Sequence, residues 1–106
     1  MLMTLSALAD PNRFQIVELL RSGPRHVGEI EKRLKLQQPQ VSKHLRVLRE
    51  AGIVVSHVDA QRRIYELRPQ PFRVLDEWLG RYRSYWDARL DDLETHLENS
   101  RTEWQR

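Results

Sequence analysis

The sequence predicts a mainly α-helical fold that contains one two-stranded β-hairpin and ends in a single long helix. Three observations predict it. Apolar residues recur at helical spacing through most of residues 2–52. Over residues 53–67 the pattern changes to β-branched and aromatic residues on both sides of a short polar break. From Pro71 the helical spacing returns and lasts for about seven turns, longer than so small a core can cover.

Length and charge limit the organisation of the chain. With 106 residues there is room for one domain, and we assign residues 1–106 to it. The formal charge is +3, but the positive excess lies in the first two thirds. Residues 37–68 carry six basic and three acidic side chains, whereas residues 69–106 carry six and eight. Binding to a polyanion is therefore predicted to involve residues before position 69.

Composition also excludes several classes of protein. The chain has no cysteine, which excludes structural disulfides, thiolate zinc sites and thiol redox sensing. It has no run of 18 apolar residues and no basic N-terminal segment followed by a long apolar core, so neither a membrane protein nor an exported one is expected. These features favour a cytoplasmic protein of bacterial type.

The first helices are marked by their ends. Residues 2–9 form a short helix that ends before Asp10-Pro11, where Asp10 suits an N-cap and Pro11 suits the first helical position. The second helix, NRFQIVELLRS, ends at Gly23-Pro24. Its apolar residues face the core; they are Ile16, Val17, Leu19 and Leu20.

Residues 27–51 are predicted to form a helix-turn-helix. VGEIEKRLKL places Val27, Ile30 and Leu34 on one face of a third helix, and only KLQQ separates it from a fourth. The fourth helix lies in QQPQVSKHLRVLREAG, with a narrow apolar stripe and polar residues around it. Pro39 suits its first turn, and Gly52 suits the position after its end.

Residues 53–67 are predicted to form the hairpin, here called the wing. Ile53 to Val58 and Arg63 to Leu67 read as antiparallel strands, with Arg62 and Arg63 at the tip. The tip contains no glycine, which leaves the turn type open because the usual hairpin turns require a positive φ.

The long C-terminal helix, residues 71–100, has an apolar stripe whose members step by 4, 3, 4, 4, 3 and 4 residues from Leu75 to Leu97. A soluble monomer rarely exposes so much apolar surface, so a second copy of the chain is the expected cover. Residues 71–100 are therefore predicted to be a dimerisation helix, and its interface residues are Leu75, Leu79, Tyr82, Trp86, Leu90 and Leu93.

Helix, helix-turn-helix, hairpin and long helix is the order of a winged helix-turn-helix. The runs ALADPNRFQIVELL, VGEIEKRLKLQQPQVSKHLRVLREAGIV and RRIYEL resemble the ArsR/SmtB family of bacterial repressors over residues 6 to 68. The last third resembles a subgroup with an extended aromatic final helix, through Trp78, Tyr82, Arg83, Tyr85, Trp86 and Leu90. The resemblance implies a homodimer whose two recognition helices enter successive major grooves of a palindromic operator. It also implies that the first and last helices pair in this dimer, so residues 1–9 are expected to be a dimerisation helix with Leu5 and Leu8 at the interface.

The fourth helix carries the candidate residues for reading double-stranded DNA. A recognition helix reads bases near its N-terminus, and amide, hydroxyl and ammonium groups are suited to base edges. By resemblance, Gln38, Ser42 and Lys43 match DNA-contacting positions. Arg46 is expected to contact phosphate, and the wing arginines are expected to reach phosphates or a minor groove. His44 is expected to have a structural or phosphate-binding role. The predicted DNA-binding residues are Gln38, Gln40, Ser42, Lys43, His44, Arg46, Arg62 and Arg63.

A metal switch is not expected, although many members of the family sense metals. The two thiolate positions of the third-helix site align with His26 and Gly28, and the final helix has only the lone His96 in place of paired histidines. A lone surface histidine is the expected role of each of the four histidines. The sequence also predicts no cofactor and no enzyme activity, because it contains no nucleophile-base set and no Gly-rich phosphate loop.

Two functions remain in competition at this point. The first is a homodimeric repressor that binds a palindromic operator near its own promoter. The alternative is a winged-helix adaptor that binds protein or RNA through the same frame, because a fold does not fix a function. The operator sequence, the regulated genes and the existence of a small-molecule effector stay open, and so does the choice between repression and activation.

Overall fold

The structure is a computed structural model that describes the backbone of residues 1–104 and the side chains of residues 1–101. Its contacts divide the chain into a first compact unit, Met1–Arg73, and a second that begins at Val74. The elements, in chain order, are α1 (Leu2–Leu8), α2 (Pro11–Leu20), β1 (Arg25–His26), α3 (Val27–Leu34), α4 (Gln38–Glu50), β2 (Val54–Asp59), β3 (Arg62–Leu67) and α5 (Pro69–Trp104).

The predicted start of α2 is confirmed. Asp10 has an extended backbone, and its Oδ1 accepts hydrogen bonds from the N–H groups of Asn12 at 2.8 Å and Arg13 at 3.1 Å. These bonds satisfy donors that the helix itself leaves unpaired. Pro11 follows in the first turn, where its missing N–H costs nothing.

Helices α3 and α4 form the predicted helix-turn-helix, joined by residues 35–37. Lys35 closes α3 in the left-handed conformation with φ 55°, and the Leu36 N–H donates to the Glu31 carbonyl. A lysine at this position carries no sequence signal for a left-handed residue, because glycine is the usual choice there. The turn was predictable from spacing alone.

Both ends of α4 are fixed by local hydrogen bonds. The side chain of Gln40 accepts from the backbone N–H of Gln37 at 3.2 Å, which is half of a capping box. At the other end Gly52 has φ 77°, and the Ile53 N–H reaches the Leu48 carbonyl at 3.0 Å. This is the Schellman arrangement, and it explains the glycine at this position.

The hairpin is confirmed, but the sheet has three strands and not the predicted two. Strand β3 lies in the centre, with β2 on one side and the two-residue β1 on the other, all antiparallel. Two residues carry no strand period, so β1 could not be recognised from the sequence. The turn between β2 and β3 contains only Ala60 and Gln61, and Ala60 has φ 57°. An alanine therefore supplies the positive φ that a tight hairpin turn requires.

The hydrophobic core of the first unit lies between α2, α3, α4 and the sheet. The predicted stripe of α4, formed by Val41, Leu45 and Leu48, is buried. Three of the four inward residues predicted for α2 are buried as well, and Leu19 is partly buried against the core. The buried apolar residues are Ala7, Ile16, Val17, Leu20, Ile30, Val41, Leu45, Leu48, Ile53, Val54 and Tyr65. Burial of the α4 stripe leaves the polar face of that helix outside.

Helix α5 begins at Pro69, two residues before the predicted start, and continues through the second unit. Its stripe is exposed within the single chain. Leu79 is 48% exposed and Leu90 58%, and Tyr82, Trp86, Leu93 and Leu97 are exposed to a similar degree. Trp78 and Tyr82 pack edge to face with ring centroids 5.3 Å apart.

Candidate nucleic-acid interface

Two clefts lie side by side between α4 and the wing. The first, here called the basic cleft, is lined by Pro39, Ser42, Lys43, Arg46, Arg49, Arg63 and Tyr65. The second, here called the polar cleft, is lined by His26, Val27, Gly28, Gln38, Ser42, Gln61, Arg62, Arg63 and Tyr65. Ser42, Arg63 and Tyr65 line both, so the two clefts adjoin along the N-terminal half of α4.

Strand β3 positions the wing side of both clefts. Side chains two residues apart on a strand point to the same face, so Arg63 and Tyr65 share the face that lines the clefts. Tyr65 is buried because β3 is the central strand, paired with Arg25 on one side and Ser56 on the other. Arg63 lies nearer the turn and is exposed.

The clefts are strongly positive. Lys43, Arg46, Arg49, Arg62 and Arg63 contribute five cations and are all exposed. None of the five forms an ion pair with any residue of the described chain. No carboxylate lines either cleft. Unpaired guanidinium and ammonium groups around polar side chains are suited to phosphates and base edges.

Six of the eight predicted DNA-binding residues line these clefts: Gln38, Ser42, Lys43, Arg46, Arg62 and Arg63. Gln40 and His44 do not. Gln40 accepts a hydrogen bond from the Gln37 backbone and so belongs to the cap of α4. The His44 side chain is only 12% exposed and lies against the N-terminus of α2.

Sequence reasoning missed Arg49, Gln61 and the position of His26. Arg49 lies three residues after Arg46, which places it one turn along the same exposed face. That spacing was available in the sequence. Gln61 lines the polar cleft because the turn is only two residues long, a detail that depended on the turn type.

The sequence predicted a lone surface histidine at position 26, but this prediction is wrong, because His26 is the N-cap of α3. Its Nδ1 accepts from the Glu29 N–H at 3.3 Å, and its Nε2 lies 3.3 Å from Glu29 Oε1. Arg25 donates to the other carboxylate oxygen of Glu29 at 3.1 Å. The hydrogen bond from Arg25, aided by His26, lowers the pKa of Glu29. A β-carbon added at Gly28 would lie 3.1 Å from the His26 ring, so the cap crowds this position.

Neither a metal centre nor a membrane span is found in the described part of the chain. Within residues 1–101 no three histidine, aspartate or glutamate side chains come together in a way that could hold a metal ion. Among the described helices none combines the length and apolarity needed to cross a bilayer.

Comparison with known proteins identifies the family. Residues 10–56, from the cap of α2 into β2, match the family described as bacterial regulatory protein, arsR family. The HTH-type transcriptional regulator Rv2034 of Mycobacterium tuberculosis is 42% identical over 76 residues, which cover 72% of this chain and 71% of that protein. The chain belongs to the ArsR family. It is therefore a DNA-binding transcriptional regulator of the winged-helix type.

Other relatives of this ArsR-family regulator include proteins named for either direction of control. The biofilm growth-associated repressor of Agrobacterium fabrum is 43% identical over 63 residues, 59% of this chain and 54% of that protein. The solved structure of HlyU from Vibrio cholerae superposes with a TM-score of 0.66 at 34% identity, covering 76% of this chain and 88% of that one. HlyU of Vibrio cholerae is named a transcriptional activator.

Proposed function

We propose that this ArsR-family protein is a homodimeric repressor that binds a palindromic operator near its own promoter and does not use a metal switch. The observation that carries the proposal is the pair of clefts, which combines base-reading groups at the start of α4 with five unpaired cations. Gln38, Ser42 and Lys43 lie where a recognition helix meets base edges. The cations of α4 and the wing lie around them, where the phosphates of the same groove would pass.

Arg49 joins the proposed phosphate contacts. It lines the basic cleft together with Arg46 and Arg63, and it forms no ion pair within the described chain. Because contacts to phosphate carry no sequence information, we assign Arg46, Arg49, Arg62 and Arg63 to affinity and Gln38, Ser42 and Lys43 to selectivity. His44 and Gln40 have other contacts, so neither is assigned to base reading.

The exposed stripe of α5 supports the proposed homodimer. Large apolar side chains from Leu79 to Leu97 are about half exposed in the single chain, and a second copy supplies an identical stripe. Leu5 is also exposed on α1, whereas Leu8 and Leu75 are half-buried. We propose that α1 and α5 contribute together to this interface.

Charge favours antiparallel pairing of the two α5 helices. The stripe steps of 4, 3, 4, 4, 3 and 4 read the same from both ends and are centred on Trp86. Residues 87–98 carry five acidic side chains and one arginine, while residues 69–86 carry three arginines and two acidic side chains. A parallel pair would place the two acidic segments side by side, whereas an antiparallel pair places each beside the more basic segment of its partner.

The surroundings of His26 support the absence of a metal switch. Both imidazole nitrogens already face Glu29, through its backbone N–H and its carboxylate, so neither is free for a metal without opening the cap of α3. We expect low micromolar zinc or nickel neither to bind stoichiometrically nor to release operator DNA. Isothermal titration calorimetry measures the binding. Stoichiometric heat that disappears in the His26→Ala or His96→Ala variant would contradict this part of the proposal.

Footprinting on the DNA upstream of its own gene tests the central proposal. The expected result is protection of two half-sites related by a dyad and centred one helical turn apart, about 34–36 Å. A matched RNA and a scrambled duplex are the controls. Equal binding to all three, with no protected palindrome, would refute operator recognition and favour an adaptor role.

A further inference from the structure

The His44 side chain belongs to the recognition helix but is turned away from the clefts. Its Nε2 lies 3.5 Å from Asn12 Nδ2, and its Nδ1 lies 4.0 Å from Asp10 Oδ1. Nδ1 is fully buried and has no hydrogen-bond partner among the described residues. A buried imidazole nitrogen beside a carboxylate indicates a polar contact between α4 and the N-terminus of α2.

Asp10 connects this contact to α1. Its Oδ1 caps α2, and its Oδ2 lies 4.0 Å from Arg13 Nη1. The Nε of Arg13 in turn donates to the Ala7 carbonyl at 2.7 Å, near the end of α1. A continuous chain of polar contacts therefore runs from α1 through Arg13 and Asp10 to His44 on α4.

The Asp10 carboxylate is the charged centre of this chain. Its pKa is lowered, first by the hydrogen bond from the Arg13 N–H and then by the Asn12 N–H and the nearby charges of Arg13 and His44. The carboxylate is therefore ionised at neutral pH, where it attracts a donor on His44 Nδ1. Each ring nitrogen therefore lies beside a polar group, Nε2 beside the Asn12 amide and Nδ1 beside the Asp10 carboxylate.

Apolar packing alone defines the rotation of α4 about its own axis only weakly. Val41, Leu45 and Leu48 hold the helix against the core, but apolar contact is non-directional and permits small rotations about the helix axis. The 3.5 Å contact of His44 with Asn12 depends on orientation, and the attraction between the ring and the Asp10 carboxylate falls with distance, so both oppose such a rotation. Because Ser42 and Lys43 directly precede His44, a rotation would move their polar groups relative to the base edges.

We propose that His44 is a positioning residue that sets the rotation of the recognition helix by anchoring it to Asp10 and Asn12, and through Arg13 to α1. This inference rests on the proposed operator binding. It separates His44 from the phosphate-contacting role considered from the sequence. Loss of the anchor should affect base reading, which depends on side-chain placement, and spare non-specific binding, which depends on charge.

The test compares His44→Phe, Asp10→Asn and the double variant on operator and random duplex DNA. Phenylalanine keeps the ring shape and removes both nitrogens, while asparagine remains a good N-cap and removes the carboxylate charge. His44→Phe is expected to lower operator affinity about tenfold, leave random-DNA affinity within about twofold and leave the salt slope unchanged. His57→Phe is the control, because His57 lies exposed on β2 and should not change the ratio of the two affinities.

The double variant measures the coupling between the two partners. If His44 acts through Asp10, the double variant should be no weaker on the operator than His44→Phe alone. Losses that multiply would show that the two residues act independently and would overturn the proposal. Equal loss on both DNAs, with a salt slope lower by about 1 for each subunit, would make His44 a phosphate contact instead.

Two further results keep the inference separate from folding and from operator binding. If His44→Phe lost its helical circular dichroism, Asp10→Asn would carry the test, and normal operator affinity in that variant would refute the anchor. If the unaltered protein protected no palindrome, the proposed function would fail. The anchor would then be judged by thermal unfolding of the same three variants, where additive losses of stability would refute it.

Discussion

Replacing Leu79 and Leu90 with alanine tests the α5 stripe as the dimer seam. Full burial of a leucine side chain is worth about 1.5–3 kcal/mol, and these two are about half exposed in the single chain, which leaves about 1 kcal/mol each for an interface. A dimer contains four such side chains. The double substitution should therefore weaken association by about 4 kcal/mol, or about a thousandfold in the dimer Kd.

Sedimentation equilibrium over a wide range of protein concentrations measures the effect, and circular dichroism checks that helix content is kept. Alanine favours helix, so the substitutions should not disturb α5 itself. The matched control replaces Glu77 and Thr95, which lie about 150° away around the helix, with alanine. A dimer Kd that is unchanged by the leucine substitutions, or equally changed by the control, would refute the assignment of the seam. Operator affinity is expected to decrease as dimerisation is weakened, because a monomer would contact only one half-site.

Three further substitutions address the clefts and the cap of α3. Gln38→Ala should weaken operator binding by about 1–3 kcal/mol for each subunit and leave random-DNA binding nearly unchanged, and equal losses in a gel-shift titration would refute base reading. Replacing Arg62 and Arg63 together with alanine should weaken binding to all sequences and reduce the salt slope by up to about 2 for each subunit, and an unchanged slope would show that the wing does not touch phosphates. The pKa of Glu29 is lowered in the folded state. Ionised Glu29 therefore stabilises the fold at pH values above the ordinary glutamate pKa of about 4.3, and this contribution to folding stability is lost as the pH falls through the lower pKa of the folded state. Glu29→Gln should therefore reduce the loss of thermal stability on acidification below about pH 4.3, and an unaltered acid dependence would argue against the Arg25 bond.

The order of the main elements followed from sequence because each had a local cause. The Asp10 cap, the apolar stripe of α4 and the glycine at position 52 each satisfy a requirement that involves only neighbouring residues. The family resemblance pointed to the same arrangement. Burial of one stripe also determines which residues of α4 face outward. Of the candidates on α4, four line the clefts (Gln38, Ser42, Lys43 and Arg46), whereas Gln40 and His44 do not.

The remaining features have no sequence pattern that predicts them. Strand β1 is only two residues long and exists because β3 offers a free edge beside it. The four histidines have no paired spacing, which predicted a surface residue at His26, and histidine is not among the usual N-cap residues that would indicate its contact with the Glu29 N–H. The anchor from His44 to Asp10 joins residues 34 positions apart, and no periodic pattern encodes such a contact.

The division of charge along the chain gives a physical reason for a dimer. One copy offers five cations and a few polar groups at its clefts, enough for salt-sensitive binding to any duplex but not for high selectivity. In the proposed dimer, engagement of the second half-site would be intramolecular, so the energy of base reading by both recognition helices would be summed over one site. The acidic half of α5 would be repelled by the phosphates of DNA. Beside the more basic half of a partner helix, the same negative charge would favour association of the two copies. Reversing the charge of Asp91 and Asp92 to lysine should therefore weaken the dimer at low salt more than at high salt. A dimer Kd with no such salt dependence would leave the apolar stripe alone to determine the orientation of the pair.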